Sequence, residues 1–347
     1  SLVGSEMCIR DRLTPHLLHR MIGSEEVYRA TMSYLDWRVY GFFFSFIAVM
    51  FRAFYVSTTN TKILTANSVV MVLTNVVLNY ILIFGKFGFP VLGIAGAAIA
   101  SSISEAVSVM FFVIYTWKKV DYKKYGLFRF TRVDFRMLGQ ILSVSIWVMI
   151  QHGIAFGGWF IFFIAMEHLG ERPLAITNVV RSISSFLFMF VNAFASTNSS
   201  LVSNLIGAGE SDRVLPLCRR MIGLCYAFVL PIGILIAMFP STVLRIYTDN
   251  PDLIASSISS LWVMLSSYLF AVPGFIYFFS VSGTGNTRRA LEIDMASIFV
   301  YVLYILYVAV WLRADVAVCW TTEYVYNIMI LSSFFYLWKG NWRNKKI

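Results

Sequence analysis

The sequence predicts an all-α, polytopic membrane protein. Nine apolar stretches occupy residues 40–59, 64–84, 91–116, 137–166, 175–206, 221–244, 253–282, 295–312 and 316–338. Each has at least about 18 residues, enough for a helix to cross a hydrocarbon layer of about 30 Å. Of 347 residues, 59% are hydrophobic and only 13% charged, and the mean hydropathy is +0.73. In lipid the backbone has to satisfy its own hydrogen bonds, which leaves helices or closed barrels, and these runs are too long and continuous for barrel strands.

The placement of charge gives a third, independent indication. With the C-terminal tail (Lys339, Arg343, Lys345, Lys346) on the cytoplasmic side and alternating loops, that side also receives Lys62, the basic segment 117–136, Arg213, Arg219, Arg220, Arg288 and Arg289. The opposite loops after the first span hold only Lys86, Arg172, Arg245 and Arg313. Basic residues concentrated in cytoplasmic loops orient such proteins. The net charge of +10 is thus topological, and nucleic acid is not an expected partner.

Taken in order, the first run (40–59) leaves through TTNTK at 58–62. The second (64–84) carries Asn75 and Asn79, four apart and so stacked on one face. Their amides both donate and accept, which suits a cation site or a relay; interhelical packing is the plain alternative. The third (91–116) has small residues at four-residue spacing, Gly93–Ala97–Ser101 and Gly96–Ala100–Ser104, a pattern that lets helices approach closely. Glu105 continues the first of these stripes, so it should face protein or a cavity. Burial penalises the charged form of a carboxylate, which makes it a candidate proton carrier; otherwise it is a structural polar contact.

The fourth run (137–166) holds Gln151 and His152 at mid-span, and Trp159 two turns on. His152 brings an imidazole, a candidate for ion coupling, and Trp159 with Phe156, Phe160 and Phe163 offers faces for aromatic cations. In the fifth (175–206), Asn178 and Arg181 share a face. Arg181 is expected to balance a carboxylate, contact an anionic group or pair with Glu167. Arg52 and Glu323 lie nearer span ends and read as snorkelling or packing groups. Asp294, with Glu292, Arg288 and Arg289, reads as a charged cap where the eighth run begins. Cys218, Cys225 and Cys319 read as small buried apolar residues; no metal-ligand spacing appears.

The chain also repeats itself. TTNTK at 58–62 and TGNTR at 284–288 are about 226 residues apart, each between two apolar runs. The same offset pairs Leu35 with Leu261; shifts one residue either way pair Pro15 and Arg20 with Pro240 and Arg245, and Tyr80 with Tyr307. Internal repeats are a building rule of transporters. On this reading 137–338 is a complete six-helix bundle, 13–116 is the end of a third helix plus helices four to six, 117–136 is a cytoplasmic linker and 339–347 a basic tail. Residues 1–12 resemble a translated sequencing-adapter fragment and are excluded from fold reasoning. The expectation is a 6+6 transporter lacking nearly three helices, and hence inactive as this chain stands.

These features resemble the multidrug and toxic compound extrusion (MATE) family. The resemblance rests on Ala30, Tyr34 and Leu35 (A-x-x-x-Y-L), FRAFYVSTTNTK at 51–62, and NVVLNYILIFGKFGFPVLGIAGAAIAS at 75–101. LVSNLIGAGESDRV at 201–214 and SGTGNTRR at 282–289 add to it. The resemblance implies a two-bundle exporter of small organic, often cationic compounds, driven by proton or sodium entry, with no other cofactor. It implies a monomer in the plasma (inner) membrane, with no catalytic residues, and the Asn75–Asn79 face lining an N-terminal cavity. Many members place an aspartate where this chain has Asn79, and some a glutamate near Gln151, so both departures remove a carboxylate. No G-x-x-x-x-G-K-[ST] loop appears, so ATP is not expected. The alternatives are a lipid-linked saccharide flippase of the same superfamily, or a membrane enzyme or receptor; no H-E-x-x-H motif or Ser/His/Asp set favours the latter.

Overall fold

The computed structural model describes residues 25–58, 60–120, 125, 134–340 and 342, so the adapter-like start, most of the 117–136 linker and most of the tail lie outside the described residues. Among the described residues there is no strand, and eight helices are long and apolar enough to cross a membrane. The chain divides into two compact units, Ser1–Arg132 and Val133–Ile347.

In the first unit, α1 (Glu25–Ser57), α2 (Lys62–Phe84) and α3 (Gly93–Lys119) follow one another. The third helix is the common neighbour: it packs along both others, which barely touch each other. Its small stripe makes this possible. A side chain at Gly96 would place a Cβ 2.7 Å from the Leu82 carbonyl oxygen, so α2 and α3 meet backbone to backbone there. Toward the other end, Phe112 stacks between Phe51 and Tyr55 at 5.6 and 5.7 Å, and Tyr55 and Thr116 share a 2.6 Å hydrogen bond. The α2 helix stops at Gly85, in the left-handed conformation (φ 63°) that glycine adopts without steric cost.

The first helix differs from expectation at its start. It is already helical at Glu25, fifteen residues before the predicted run at 40, and takes in Asp36 and Arg38. Arg38 remains inside because α3 supplies it with a carboxylate partner.

In the second unit the spans are α4 (Phe135–Leu169), α5 (Glu171–Gly207), α6 (Val214–Met238), α7 (Pro251–Gly283) and α8 (Thr287–Ile305), the last continuing as a π-turn through Leu306–Trp311. The ninth predicted run is helical in pieces: a turn at Val316–Cys319, then α9 (Thr322–Ile330) and α10 (Ser333–Lys339). The breaks are tightened rather than opened, with i→i+3 bonds such as Glu323 N–H to the Trp320 carbonyl and Phe335 N–H to that of Ser332.

The hub of this unit is α7, which packs on α5, α6, α8, α9 and α10. Asn250 caps its start by accepting from the Asp252 and Leu253 amides, with Pro251 in the first turn. Close approach again needs glycine. A Cβ at Gly283 would lie 2.5 Å from the Ser199 carbonyl oxygen, and one at Gly274 would lie 3.1 Å from that of Asn327. Pro273 sits in the middle of α7 and has no N–H for the Leu269 carbonyl one turn back. Tyr226 of α6 replaces it, its hydroxyl donating to Leu269 O at 2.5 Å.

The ends sort by charge as expected. Ser203 donates to Gly283 O (2.8 Å), Thr287 to Val144 O (3.1 Å), and Asn286 to the Tyr336 hydroxyl (2.7 Å). These bonds gather the C-terminal ends of α5, α7 and α10 with the start of α4 and α8, and so place Arg136, Arg213, Arg288, Arg289 and Lys339 at one end. The C-terminal ends of α1 and α7, at Ser57 and Gly283, are 226 residues apart, the spacing of the sequence repeat.

Candidate functional site

A cavity of about 300 Å³ lies within the second unit. Helical spacing builds its walls. From α4 come Gln151, His152 and Trp159; from α5, Ser184, Phe188 and Asn192 at i, i+4, i+8. From α8 come Asp294, Ile298 and Tyr301 at i, i+4, i+7; from α9, Glu323, Tyr326 and Asn327 at i, i+3, i+4. The hub helix α7 adds Tyr268 and Phe275.

Two carboxylates face this space. Asp294 is 2% exposed and accepts from the Tyr326 hydroxyl at 3.0 Å, with Gln151 a second donor beside it and His152 close by. The Glu323 side chain lines the cavity, and its carboxylate has no hydrogen bond or ion pair among the described residues; Tyr268, Tyr301 and Tyr326 are its polar neighbours. The buried Asn327 Oδ1 also has no donor. Unpaired acceptors inside a bundle are costly, so their presence points to a guest that supplies positive charge or N–H groups. No Lys or Arg lines the cavity.

Aromatic rings hold this chemistry in place. Tyr301 and Tyr326 meet edge to face at 5.9 Å, Phe275 lies 6.1 Å from Tyr326, and Phe188 is 4.9 Å from Phe275. Tyr268 is fixed by donating to the Ser184 carbonyl at 2.7 Å. The result is an acidic pocket with π faces, a combination that attracts organic cations.

Gln151, His152 and Trp159 from the sequence reading come together here. Asn178 and Arg181 are outside the lining; Arg181 lies 4.3 Å over the Phe163 ring and 5.9 Å from that of Trp159, and makes no salt bridge among the described residues. In the first unit, Asn79 donates to Asn75 Oδ1 (2.8 Å), and Asn75 to Ser101 and Ser104 (3.3 Å each), an amide–hydroxyl ladder between α2 and α3. Glu105 is held by Arg38 in two parallel bonds of 2.7 and 2.9 Å, with Ser45 at 3.4 Å. This is the strong, fork-shaped form of the pair. Gly41 leaves room for it, since a Cβ there would lie 2.7 Å from both charged groups.

Sequence reasoning undervalued Asp294 and Glu323. Asp294 does not cap the helix: it lies two turns inside α8, which begins at Thr287. Glu323 does not snorkel; it shares a face with Tyr326 and Asn327. The spacing of Glu323, Tyr326 and Asn327, three polar groups on one stripe of an apolar run, was the available signal.

Comparison with known proteins agrees with the family expected from the motifs. The MatE family model matches residues 12–81 and 154–310. A probable multidrug resistance protein NorM of Thermotoga maritima is 28% identical over 239 residues, 68% of this chain and 50% of its own length. The uncharacterized transporter YisQ of Bacillus subtilis is 24% identical, over 54% of this chain and 41% of its own. The chain thus spans about half the length of such relatives. In fold, it resembles the outward-facing conformation of a multidrug resistance MATE family transporter of the MOP superfamily, with TM-score 0.85, 16% identity and coverage of 96% of this chain and 75% of that one. A MOP superfamily transporter from Pyrococcus furiosus matches at TM-score 0.84, with 16% identity and the same coverage. Because the family model alone accounts for more than half of the residues, this chain belongs to the MatE family.

Proposed function

We propose that this protein exports organic cations by ion-coupled antiport, with the cavity of the second unit as a site where substrate and driving ion compete. The observation that carries this reading is the pair of carboxylates, Asp294 and Glu323, facing an aromatic-walled space that contains no Lys or Arg. A proton or sodium ion on these groups removes the negative charge that holds a cationic guest; its departure restores it. Such exchange needs neither ATP nor a catalytic residue. Gln151 and His152 tune Asp294, and Trp159 and Phe275 stack on the guest. The amide ladder of Asn75 and Asn79, the Glu105 pair, and Asn178 with Arg181 support the bundles along the pathway. In this reading the protein works as a monomer in the inner membrane, with its basic end and C-terminus cytoplasmic. A flippase for lipid-linked saccharides calls for basic groups against a pyrophosphate, and the cavity wall offers none.

The test is export of an aromatic dye cation such as ethidium from drug-sensitive cells carrying the gene restored to the length of its relatives, since the chain as it stands is expected to be inactive, under imposed proton or sodium gradients. Asp294→Asn and Glu323→Gln, each the same shape without charge, are expected to lower gradient-driven export by roughly 100-fold, about the loss of one desolvated cation contact of 2–3 kcal/mol. Unchanged export in both variants, at normal protein levels, sinks the assignment.

A further inference from the structure

A second hollow, of about 380 Å³, lies on the flank of the second unit where α9 gives way to α10 beside α8. Its floor is apolar: Ile293 and Ala296 from α8, Met329 and Phe335 from the facing segment. Its rim is basic, with Arg289 and Lys339. The Asp294 side of α8 faces the cavity, whereas Ile293 and Ala296 turn to this hollow, so one helix separates the two.

Three further observations bear on what fits there. First, charge: Glu292 also reaches the rim, but Arg288 (3.4 Å) and Arg289 share it, and Lys339 has no anionic partner among the described residues. The rim is therefore net positive. Second, a free donor: the Tyr336 hydroxyl accepts from Asn286, which leaves its own hydrogen to donate. Third, depth: the rim is at the basic end of the unit, with Trp338 64% exposed beside Lys339 and Arg288 over the Trp147 ring at 5.6 Å. Exposed tryptophan marks the level of lipid headgroups. A basic rim at that level, above an apolar floor whose Ala296 and Phe335 are exposed, matches a molecule with a phosphate at one end and an acyl chain at the other. Basic pockets between spans take anionic lipid headgroups by this chemistry.

We propose that this hollow is a binding site for one anionic glycerophospholipid. Its phosphate lies against Arg289 and Lys339, the Tyr336 hydroxyl donates to it, and the first part of an acyl chain runs over Ala296 and Phe335. The zwitterionic phosphatidylcholine, with a bulky quaternary cation beside two basic residues, is a poorer occupant.

The measurement is native mass spectrometry of the whole chain in detergent, titrated with phosphatidylglycerol, phosphatidylcholine or inorganic phosphate. One tightly retained phosphatidylglycerol is expected. Arg289→Ala with Lys339→Ala should weaken its retention roughly 20-fold, as expected for two basic residues at a membrane surface. Ala296→Trp, which fills the floor and keeps both charges, should also expel it. Arg213→Ala with Arg220→Ala, at the same end but off the hollow, should leave it bound; monodisperse elution checks the fold of each variant. Equal retention of phosphatidylcholine, equal loss in the Arg213/Arg220 control, or full displacement by inorganic phosphate overturns the proposal; the last would mark a phosphate-ion site with no lipid seat.

Discussion

The triple α1–α2–α3 and the segment from α7 to α10 have the same layout. In each, a long helix runs into a T-x-N-T-[KR] segment, a second helix begins just after it, and a third packs back. At the common offset of 226, Asn75 corresponds to Tyr301 and Ser101 to Asn327. The face that holds the amide ladder in the first triple is therefore the face that lines the cavity in the second. Their polar chemistry is opposite. In the first, Glu105 is neutralised by Arg38 and Asn75 is bonded to its neighbours. In the second, Glu323 stands where the first triple has Ala97, Asp294 where it has Ser68, and no Lys or Arg of the lining answers either. One scaffold thus holds its charge in a structural pair, and in the other the carboxylates face the cavity without a Lys or Arg partner, where the proposed function seats its guest.

The largest effect expected of a test of this contrast is at the ion pair. Glu105→Gln leaves Arg38 without its partner, and should cost about 2–3 kcal/mol in a thermal or denaturant melt in detergent. That is below the range for a fully buried pair, because the two side chains are 21% and 15% exposed. Arg38→Met with Glu105→Leu should recover most of the loss; if it does not, the carboxylate has a role beyond pairing. Glu323→Gln in the same melt should be neutral or stabilising, since it removes an unpaired charge.

Next come the two close approaches. Gly283→Ala and Gly96→Ala each push a methyl against a carbonyl oxygen, at 2.5 and 2.7 Å, and should each cost about 1–3 kcal/mol. Gly223→Ala, where a Cβ meets nothing within 4 Å, is the control. A Gly96 cost no larger than the control's would show that α2 and α3 are less tightly joined than α5 and α7. The smallest effect is at the ladder. Asn75→Ala should cost about 0.6 kcal/mol, typical of one interhelical hydrogen bond in a membrane protein, and should leave ethidium export intact. A large export defect would move part of the ion pathway into the first unit.

Much of this architecture is legible in sequence because lipid imposes a simple rule: a continuous apolar run is a helix. The runs at 64–84 and 253–282 match α2 and α7 within two residues at each end. The same rule hid what mattered for charge. Opening the first span at 40 left Arg38 outside it, so Glu105 looked unpaired; helix formation continues through polar residues whenever a partner is in reach. Asp294 and Glu323 were misjudged for a related reason. Distance from a span's end says how deep a group lies, but only packing says which way it faces, and that depends on which helix is opposite. Glu105 and Glu323 illustrate the limit. Both are lone carboxylates on apolar helices, and what separates them is a guanidinium on a helix whose start was misplaced.

Pro273 gives α7 one more property. In an unbroken helix, bending must stretch or break a backbone bond. At this level the bond has already left the helix, since the Leu269 carbonyl is bound by the Tyr226 hydroxyl instead. A phenol on a rotatable side chain tolerates a change of angle that an amide fixed in the backbone does not. The helix with the most neighbours in its unit therefore carries a compliant joint beside the acidic cavity, between the wall residues Tyr268 and Phe275. The Tyr226 hydroxyl ties this level of α7 to α6, alongside Trp262 to the Ala237 carbonyl and Cys218 to Ser280. The hub helix is thus one whose backbone ladder is interrupted beside the acidic cavity.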